Sequence, residues 1–340
     1  MLGRLADDMK DLAGFENVEA VEIVARTKDG SAIDATREMD DFILHAQSKG
    51  AYPIVHGVFG GKTGLRDKKM PGSLESGDKT LGVVDACQGR FSQAELKEWL
   101  DQDSLVLFTA SKFYQAPPFC GAVIIPPRIA QKLREAPVPE PRDMFGLDGL
   151  GGFLTDKELP DCLEHWRPLL RKEGTSNLGL ALRWEAGLAG MEALDHVPDH
   201  TRTEAVDAWA SSVSSMVNRE TMLDAWCVER SIVSIRVAKA GGGWRSMSEL
   251  RDLYRWMSMD VSSLVKDATS DEKQALSKPA YIGQPVDVSE SHAIVRIALG
   301  VESLLSYLDD ESKALDEDLQ TVKKLAAIAK HFDTLKKSGY

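Results

Sequence analysis

The reading of the fold turns on Leu81–Ala86 (LGVVDA), Ser92 with Glu95 three positions on, Ser104–Ala110 (SLVLFTA), Lys112, and Gly121–Ile125 (GAVII). The apolar runs have the length and β-branched content of buried strands. Ser92 and Glu95 form a capping box, so a helix opens between the first two runs. A strand–helix–strand unit of this size closes by a right-handed crossover, which makes its strands parallel. Upstream, Val18–Ala25 (VEAVEIVA) is β-rich and Lys28-Asp29-Gly30 closes it as a turn; Ala35–Ser48 reads as a helix and Tyr52–Val58 as a short buried strand. Strands alternating with helices predict an α/β domain with a mostly parallel sheet and helices on both faces.

The second half has a different pattern. Leu180, Trp184, Leu188, Met191 and Leu194 follow helical spacing, as do Ala205, Trp209, Val213 and Met216. Short strands are expected at Ser231–Val237 and Ala293–Leu299, and a long charged amphipathic helix from Leu315 to Leu335. Proline and polar residues at Val197-Pro198-Asp199 break the helix there. The expected organisation is therefore a large domain over 1–197 and a smaller α+β domain over 198–340, without repeats or low-complexity segments.

Composition narrows the function classes. With 340 residues, 43% hydrophobic and 28% charged, the chain is an ordinary globular sequence rather than a disordered one. Its net charge of −12 argues against a nucleic-acid backbone binder, which needs a basic stripe. Cys87, Cys120, Cys162 and Cys227 are scattered with no C-x-x-C pair, so neither a disulfide framework nor a cysteine zinc site is expected. The opening residues MLGRLADDMKDL lack the apolar stretch of a signal peptide. The uncharged run Phe113–Pro127 holds four prolines and is too short to span a bilayer. A cytoplasmic protein with no membrane partner is the expectation.

Three motifs fail on their context. Gly61-Lys62-Thr63 resembles the end of a P-loop, but the leading glycine position holds His56 and no helix follows. His196 and His200 have a metal-binding spacing, yet Pro198 separates them; no metal site is expected. Gly241-Gly242-Gly243 reads as a flexible turn.

One constellation remains. Asp85 ends a strand and Lys112 follows the next strand's end, 27 residues later. The crossover places both at the carboxyl ends of adjacent parallel strands, where open α/β sheets hold ligands. Spacing alone leaves two readings open. One is a structural salt bridge or two unrelated surface charges. The other is a pyridoxal phosphate site, where a lysine forms the Schiff base and a carboxylate keeps the pyridine nitrogen protonated.

The neighbouring residues carry a resemblance. Asp85-Ala86-Cys87-Gln88, Thr109-Ala110-Ser111-Lys112-Phe113-Tyr114 and Gly121-Ala122-Val123-Ile124-Ile125 resemble the core of the class V aminotransferases and cysteine desulfurases, which are fold-type I pyridoxal phosphate enzymes. Glu173-Gly174-Thr175-Ser176-Asn177 looks like that family's E-x-G-T-x-N segment. Gly283-Gln284-Pro285 with Val295-Arg296-Ile297 is similar to its C-x-Q-P loop and later carboxylate-binding arginine. The matches fall in family order across roughly residues 18 to 300.

What the resemblance implies can be stated residue by residue. Lys112 is the Schiff-base lysine and proton shuttle at the substrate α-carbon. Asp85 pairs with the pyridinium nitrogen, and Gln88 hydrogen-bonds the ring's phenolic oxygen. Thr109 and Ser111 offer hydroxyls to the phosphate, Ser111 standing where many relatives carry histidine. Thr175 reaches the phosphate of a partner subunit, since this family builds its site across a homodimer interface. Arg296 clamps the carboxylate of a small amino-acid substrate. The implied activity is that of a transferase or lyase at the α-carbon. Cysteine desulfurase activity is not expected, because Ile282 stands where those enzymes place their nucleophilic cysteine relative to the Gln-Pro. Only seventeen residues precede Val18, so the family's upstream glycine/threonine phosphate loop and ring-stacking residue are expected to be missing from this sequence, either because it is a truncated reading of a longer protein or because it is a degenerate relative. Weak cofactor retention is the expectation, and a non-catalytic dimerising scaffold is the alternative function.

Overall fold

The computed structural model describes residues 18–25, 27, 31, 33–63, 79–138, 155–170, 177–289 and 292–339. Its first sheet begins after helix α1 (Thr36–Ser48) with β1 (Ile54–Val58). β2 (Leu81–Asp85), helix α2 (Gln93–Asp101), β3 (Leu105–Thr109), β4 (Gly121–Ile124) and helix α3 (Pro127–Glu135) follow. The strand order is β1-β2-β3-β4. β1, β2 and β3 are parallel and β4 antiparallel, with Asp85 in register with Val58 on one side and Leu107 on the other.

The capping box forms as the sequence predicts: the Ser92 hydroxyl accepts from Glu95 N while Glu95 Oε2 accepts from Ser92 N. That start aims α2 so that Trp99 is buried beside Val84 and Val106, with its ring 4.9 Å from Phe59 and 5.5 Å from Phe91. Burying a large side chain of this kind stabilises by about 1.5–3 kcal/mol. The crossover is thus pinned against the sheet it spans.

Residues 18–25 are not a strand of this sheet, contrary to the sequence reading. Thr27 N donates to Ser31 O and Ile33 N to Ala25 O, so the chain reverses there, but Val21 and Val24 stay exposed. An alternating pattern makes a strand only where a neighbour accepts its hydrogen bonds and a core takes its apolar face. The turn expected at Lys28-Asp29-Gly30 lies outside the described residues.

Helices α4 (Leu178–Asp195) and α5 (Asp199–Arg219) meet at Val197-Pro198, as predicted. The second sheet comprises β5 (Leu223–Glu229), β6 (Ile232–Val237), β7 (Gly283–Ser289) and β8 (His292–Ala298), antiparallel in the order β5-β6-β8-β7. Helices α6 (Met247–Met257) and α7 (Ser270–Ser277) precede β7. After β8 come α8 (Val301–Asp309), α9 (Glu311–Lys330) and α10 (Phe332–Lys337). The expected long C-terminal helix is therefore two helices that meet at His331.

Val233, Ile235 and Val237 of β6 join Val295 and Ile297 of β8 in a core with Trp209, Leu253, Trp256, Leu325 and Ile328. The opposite face of that sheet carries Ser234, Arg236 and Arg296, since successive strand residues alternate sides. This polar face meets the loops of the first sheet.

Hydrogen bonds and an ion pair join the two sheets. The Glu95 carboxylate takes both terminal nitrogens of Arg230 at 2.6 and 3.0 Å, so one side chain caps α2 and holds the β5–β6 turn. Arg230 Nη1 also donates to Arg90 O at 2.9 Å. Ser234 Oγ donates to Thr63 O at 3.1 Å, and Arg296 Nη1 to Lys62 O at 2.7 Å.

Behind this face, Lys324 of α9 is fully buried, its Nζ donating to Met259 O at 2.7 Å and to Lys278 O. Burial pushes its pKa down to about 8, against the opposing pull of Asp260. Because the folded pKa lies below the unfolded one, the unfolded chain binds the extra proton between about pH 8 and 10.5, and stability rises with pH there. Denaturant unfolding at pH 7.5 and 10 is expected to show a larger gain for the wild type than for Lys324→Met, by up to about 3 kcal/mol.

Candidate functional site

Parallel pairing of β2 with β3 sets Asp85 and the turn after Thr109 side by side at the carboxyl edge of the first sheet. Asp85 Oδ1 accepts from Cys87 N at 3.0 Å, which fixes the carboxylate at the strand end. Its Oδ2 lies 3.9 Å from His56 Nε2 on β1. Burial, and then a hydrogen bond to the Asp85 carboxylate and its charge, push the Cys87 thiol up to about 12, while the Lys112 charge pulls the other way. Cys87 therefore sits within the fields of both Asp85 and Lys112. The two predicted residues share one electrostatic neighbourhood.

Lys112 is exposed, and its ammonium forms no hydrogen bond or ion pair among the described residues. Its backbone is tightly held. Ala110 N donates to Cys120 O, Phe113 N to Gln88 O, and Ala116 N to Ala110 O. Gln115 and Phe119 take positive φ angles of 55° and 67°, a conformation bulky residues adopt only when their surroundings impose it.

Two helices pack against the turn. Val301 N, at the start of α8, donates to Phe113 O at 2.7 Å, and Gln115 Oε1 accepts from Glu302 N at 2.9 Å. From the other side α4 approaches so closely that a Cβ on Gly187 would stand 2.5 Å from Ala110 Cβ. Gly190, one turn on, would meet Val301 and Tyr114 at 3.3 and 3.4 Å. The turn that presents Lys112 is clamped between helices.

The other predicted residues are arranged as follows. Thr109 Oγ1 donates to Cys120 O at 2.8 Å and lies 2.9 Å from Ser111 Oγ, and Ser111 N donates to Thr109 Oγ1 at 3.2 Å. The two hydroxyls form one cluster directly before Lys112. The Gln88 side chain lies against Gly60 on the loop after β1. Arg296, on the second sheet, reaches that same loop through Lys62 O and also donates from Nη2 to Gln284 O at 3.1 Å. Its guanidinium crosses Gly283, where a Cβ would come within 2.9 Å of Nε. Arg296 is thus at the cleft between the sheets rather than beside Lys112. Thr175 and the Glu173–Ser176 part of its motif lie outside the described residues; Asn177 caps α4 by accepting from Leu180 N at 3.0 Å.

Sequence reasoning missed His56 and Arg90. His56 stood out only as a failed P-loop position. Arg90 follows Gly89 on the loop from Asp85, and its Nη1 donates to Leu299 O at 2.6 Å and to the Ser231 hydroxyl of the second sheet. Nothing in the local pattern signals a contact across that distance in sequence. Among the described residues no cluster of three or more metal-ligating side chains occurs, and no helix is long and apolar enough to cross a membrane.

No family model and no curated protein sequence matches the chain. Solved structures do match its fold. Tryptophan decarboxylase of Catharanthus roseus in complex with L-tryptophan aligns with a TM-score of 0.52 at 12% identity, covering 95% of this chain and 59% of that one. The 4-hydroxyphenylacetaldehyde synthase of Rhodiola rosea gives 0.49 at 14% identity, covering 91% and 58%. Serine palmitoyltransferase of Sphingomonas wittichii gives 0.48 at 10% identity, covering 87% and 60%. The first of these alignments shows that this chain shares the α/β fold of that decarboxylase, a mostly parallel sheet flanked by helices with an antiparallel sheet beside it. The chain spans 58–60% of the length of these three.

The contact at Gly187 yields a signed prediction. Alanine is the better helix former by about 1 kcal/mol, so Gly187→Ala would stabilise an unconstrained helix. Against Ala110 it is expected to destabilise by about 1–3 kcal/mol. Gly179→Ala, whose Cβ would meet the flexible end of Arg183 at 3.0 Å and Asn177 Oδ1 at an ordinary 3.7 Å, is expected to be neutral or stabilising. Urea unfolding midpoints of the two variants compare these outcomes directly.

Proposed function

We propose that this chain is a pyridoxal phosphate-dependent enzyme of the class V aminotransferase-like group, acting as a transferase or lyase at the α-carbon of an amino acid. One observation carries the reading: the parallel β2–β3 pair puts Asp85 beside the turn of Lys112, an exposed amine with no ion partner among the described residues. A structural salt bridge would have closed on it. The solved structures of like fold support the class, and residues 1–197 and 198–340 serve as its large and small domains.

The residues present fit the cofactor. Lys112 is its covalent attachment point. The Asp85 carboxylate, held by Cys87 N, holds a proton on the ring nitrogen. Gln88 would hydrogen-bond the cofactor's phenolic oxygen. Ser111, with Thr109 once its hydroxyl turned from Cys120 O, would donate to its phosphate. When bound, the cofactor supplies an electron sink for the pair released at the α-carbon. Lys112, as a free amine once the substrate's amine has taken its place, would move the proton at that carbon, a task suited to an amine on a rigid turn. Arg296 orients the substrate carboxylate from the second sheet. Cysteine desulfurase activity is not part of the proposal: Ile282 is no nucleophile, and Cys87 with a pKa of about 12 remains a thiol at neutral pH.

The protein is proposed to work in the cytoplasm as a homodimer with Thr175 near the partner's phosphate site. Leu178, Leu182 and Leu188 of α4 are 66%, 60% and 52% exposed, an apolar surface next to the site that a second copy would cover.

Borohydride reduction with pyridoxal phosphate, followed by peptide mapping, is expected to place a pyridoxyl adduct on Lys112, and Lys112→Ala is expected to lose both the adduct and the visible absorbance. No adduct under excess cofactor overturns the enzyme reading. Sedimentation is expected to show a dimer at micromolar concentration that Leu182→Glu with Leu188→Glu converts to monomer. A wild type that is monomeric removes the shared-site role of Thr175.

A further inference from the structure

Two residues near Lys112 are the reverse of what their backbones require. Gln115 holds φ at 55°, a region that glycine enters freely and a long side chain enters at a cost. Gly300, directly before α8, has φ −101° and ψ 178°, extended angles open to any residue. The glycine conformation carries a glutamine, and the ordinary conformation carries a glycine.

The Gln115 side chain accounts for both. It crosses Gly300 to reach the start of α8, where its Oε1 accepts from Glu302 N at 2.9 Å. A Cβ on Gly300 would stand 2.5 Å from Gln115 Oε1, 2.6 Å from its Cδ and 2.9 Å from its Cγ. A side chain at 300 and this path of the glutamine exclude each other. An N-cap side chain ordinarily accepts from the second or third helical N–H, and Gly300 makes no such bond. Gln115 supplies that acceptor from 187 positions away in the chain. The same glutamine closes the turn that carries Lys112, its N donating to Lys112 O at 3.1 Å, while Val301 N donates to Phe113 O at 2.7 Å. The Lys112 ammonium has no hydrogen bond or ion pair among the described residues, so only its backbone gives the amine a fixed origin.

We propose that Gln115 is the positioning residue for Lys112: by capping α8 from within the turn, it makes the seating of α8 and the bend of the turn a single event. Loss of the cap releases the strained φ and lets the turn relax, and the Lys112 amine loses its origin. The use of that amine rests on the function proposed above. The link between turn and helix rests on the crossing at Gly300 alone.

Amide hydrogen exchange on the full chain without cofactor reads this link, at Phe113 and Ala116 in the turn and at Val301 and Leu304 in α8. Gln115→Gly is expected to speed exchange at both places together by about ten-fold or more. The urea midpoint is expected to change little, because glycine relieves the strained φ. Gln115→Glu keeps an acceptor of the same reach at a helix N-terminus and is expected to stay within about two-fold of the wild type. Gly300→Ala is expected to reproduce Gln115→Gly, since its Cβ displaces the amide, and to add little in the double variant. Faster exchange in α8 alone makes Gln115 a helix cap only and overturns the proposal. So does a full additional effect of Gly300→Ala on Gln115→Gly. If Gln115→Gly does not fold, Gly300→Ala in the wild-type background decides by the same comparison of turn and helix. Borohydride trapping of pyridoxal phosphate on Lys112 is expected to slow about five-fold or more in Gln115→Gly and to recover in Gln115→Glu. A trapping rate unchanged in Gln115→Gly overturns the positioning role. Coupled exchange in a wild type that forms no adduct supports the link and removes the cofactor reading of Lys112.

Discussion

The close approach of α4 to the turn after β3 is the constraint on which the site depends. Only a residue without Cβ fits at 187, because the Ala110 methyl occupies the space. With α4 seated there, Ala110 is fully buried, and Gln115, against the start of α8, holds a positive φ. The α8 N-terminus then receives Gln115 Oε1 and offers Val301 N to Phe113 O. Each contact presumes the others. Backbone strain of this kind persists where packing over-determines it, and Lys112 gains a fixed origin in return.

Electrostatics in this molecule are local. The chain carries a net charge of −12, yet Asp85 and Lys112 meet at one strand edge with His56 3.9 Å from the carboxylate. Cys87 records the balance there: burial first, and then Asp85 against the weaker pull of Lys112, keep its thiol protonated. The same Glu95 that caps α2 holds Arg230, and Arg230 holds the carbonyl of Arg90. The capping box that starts the crossover helix is therefore mechanically connected to the loop that carries Arg90 to the second sheet.

Local patterns in the sequence determined a good part of this. The capping box at Ser92 and Glu95, the buried strands around Val84 and Val106, and the helix break at Pro198 each rest on residues a few positions apart, where propensity and periodicity act directly. Asp85 and Lys112 were legible for the same reason, since one strand–helix–strand unit has a single favoured hand and so a single placement of its strand ends. Tertiary structure alone decided the rest. VEAVEIVA has the strand pattern but finds no sheet, and Gly283–Ser289 opens with Gly-Gln-Pro yet becomes β7 because β8 pairs with it. Leu223–Glu229 joins β6 although its own alternation is weak. Arg90 meets Leu299 across 209 positions, and His56 meets Asp85 only because β1 and β2 are neighbours. Periodicity records which way a side chain faces within its own element. Which element stands opposite is settled by packing between distant segments, and a single sequence carries no local mark of that choice.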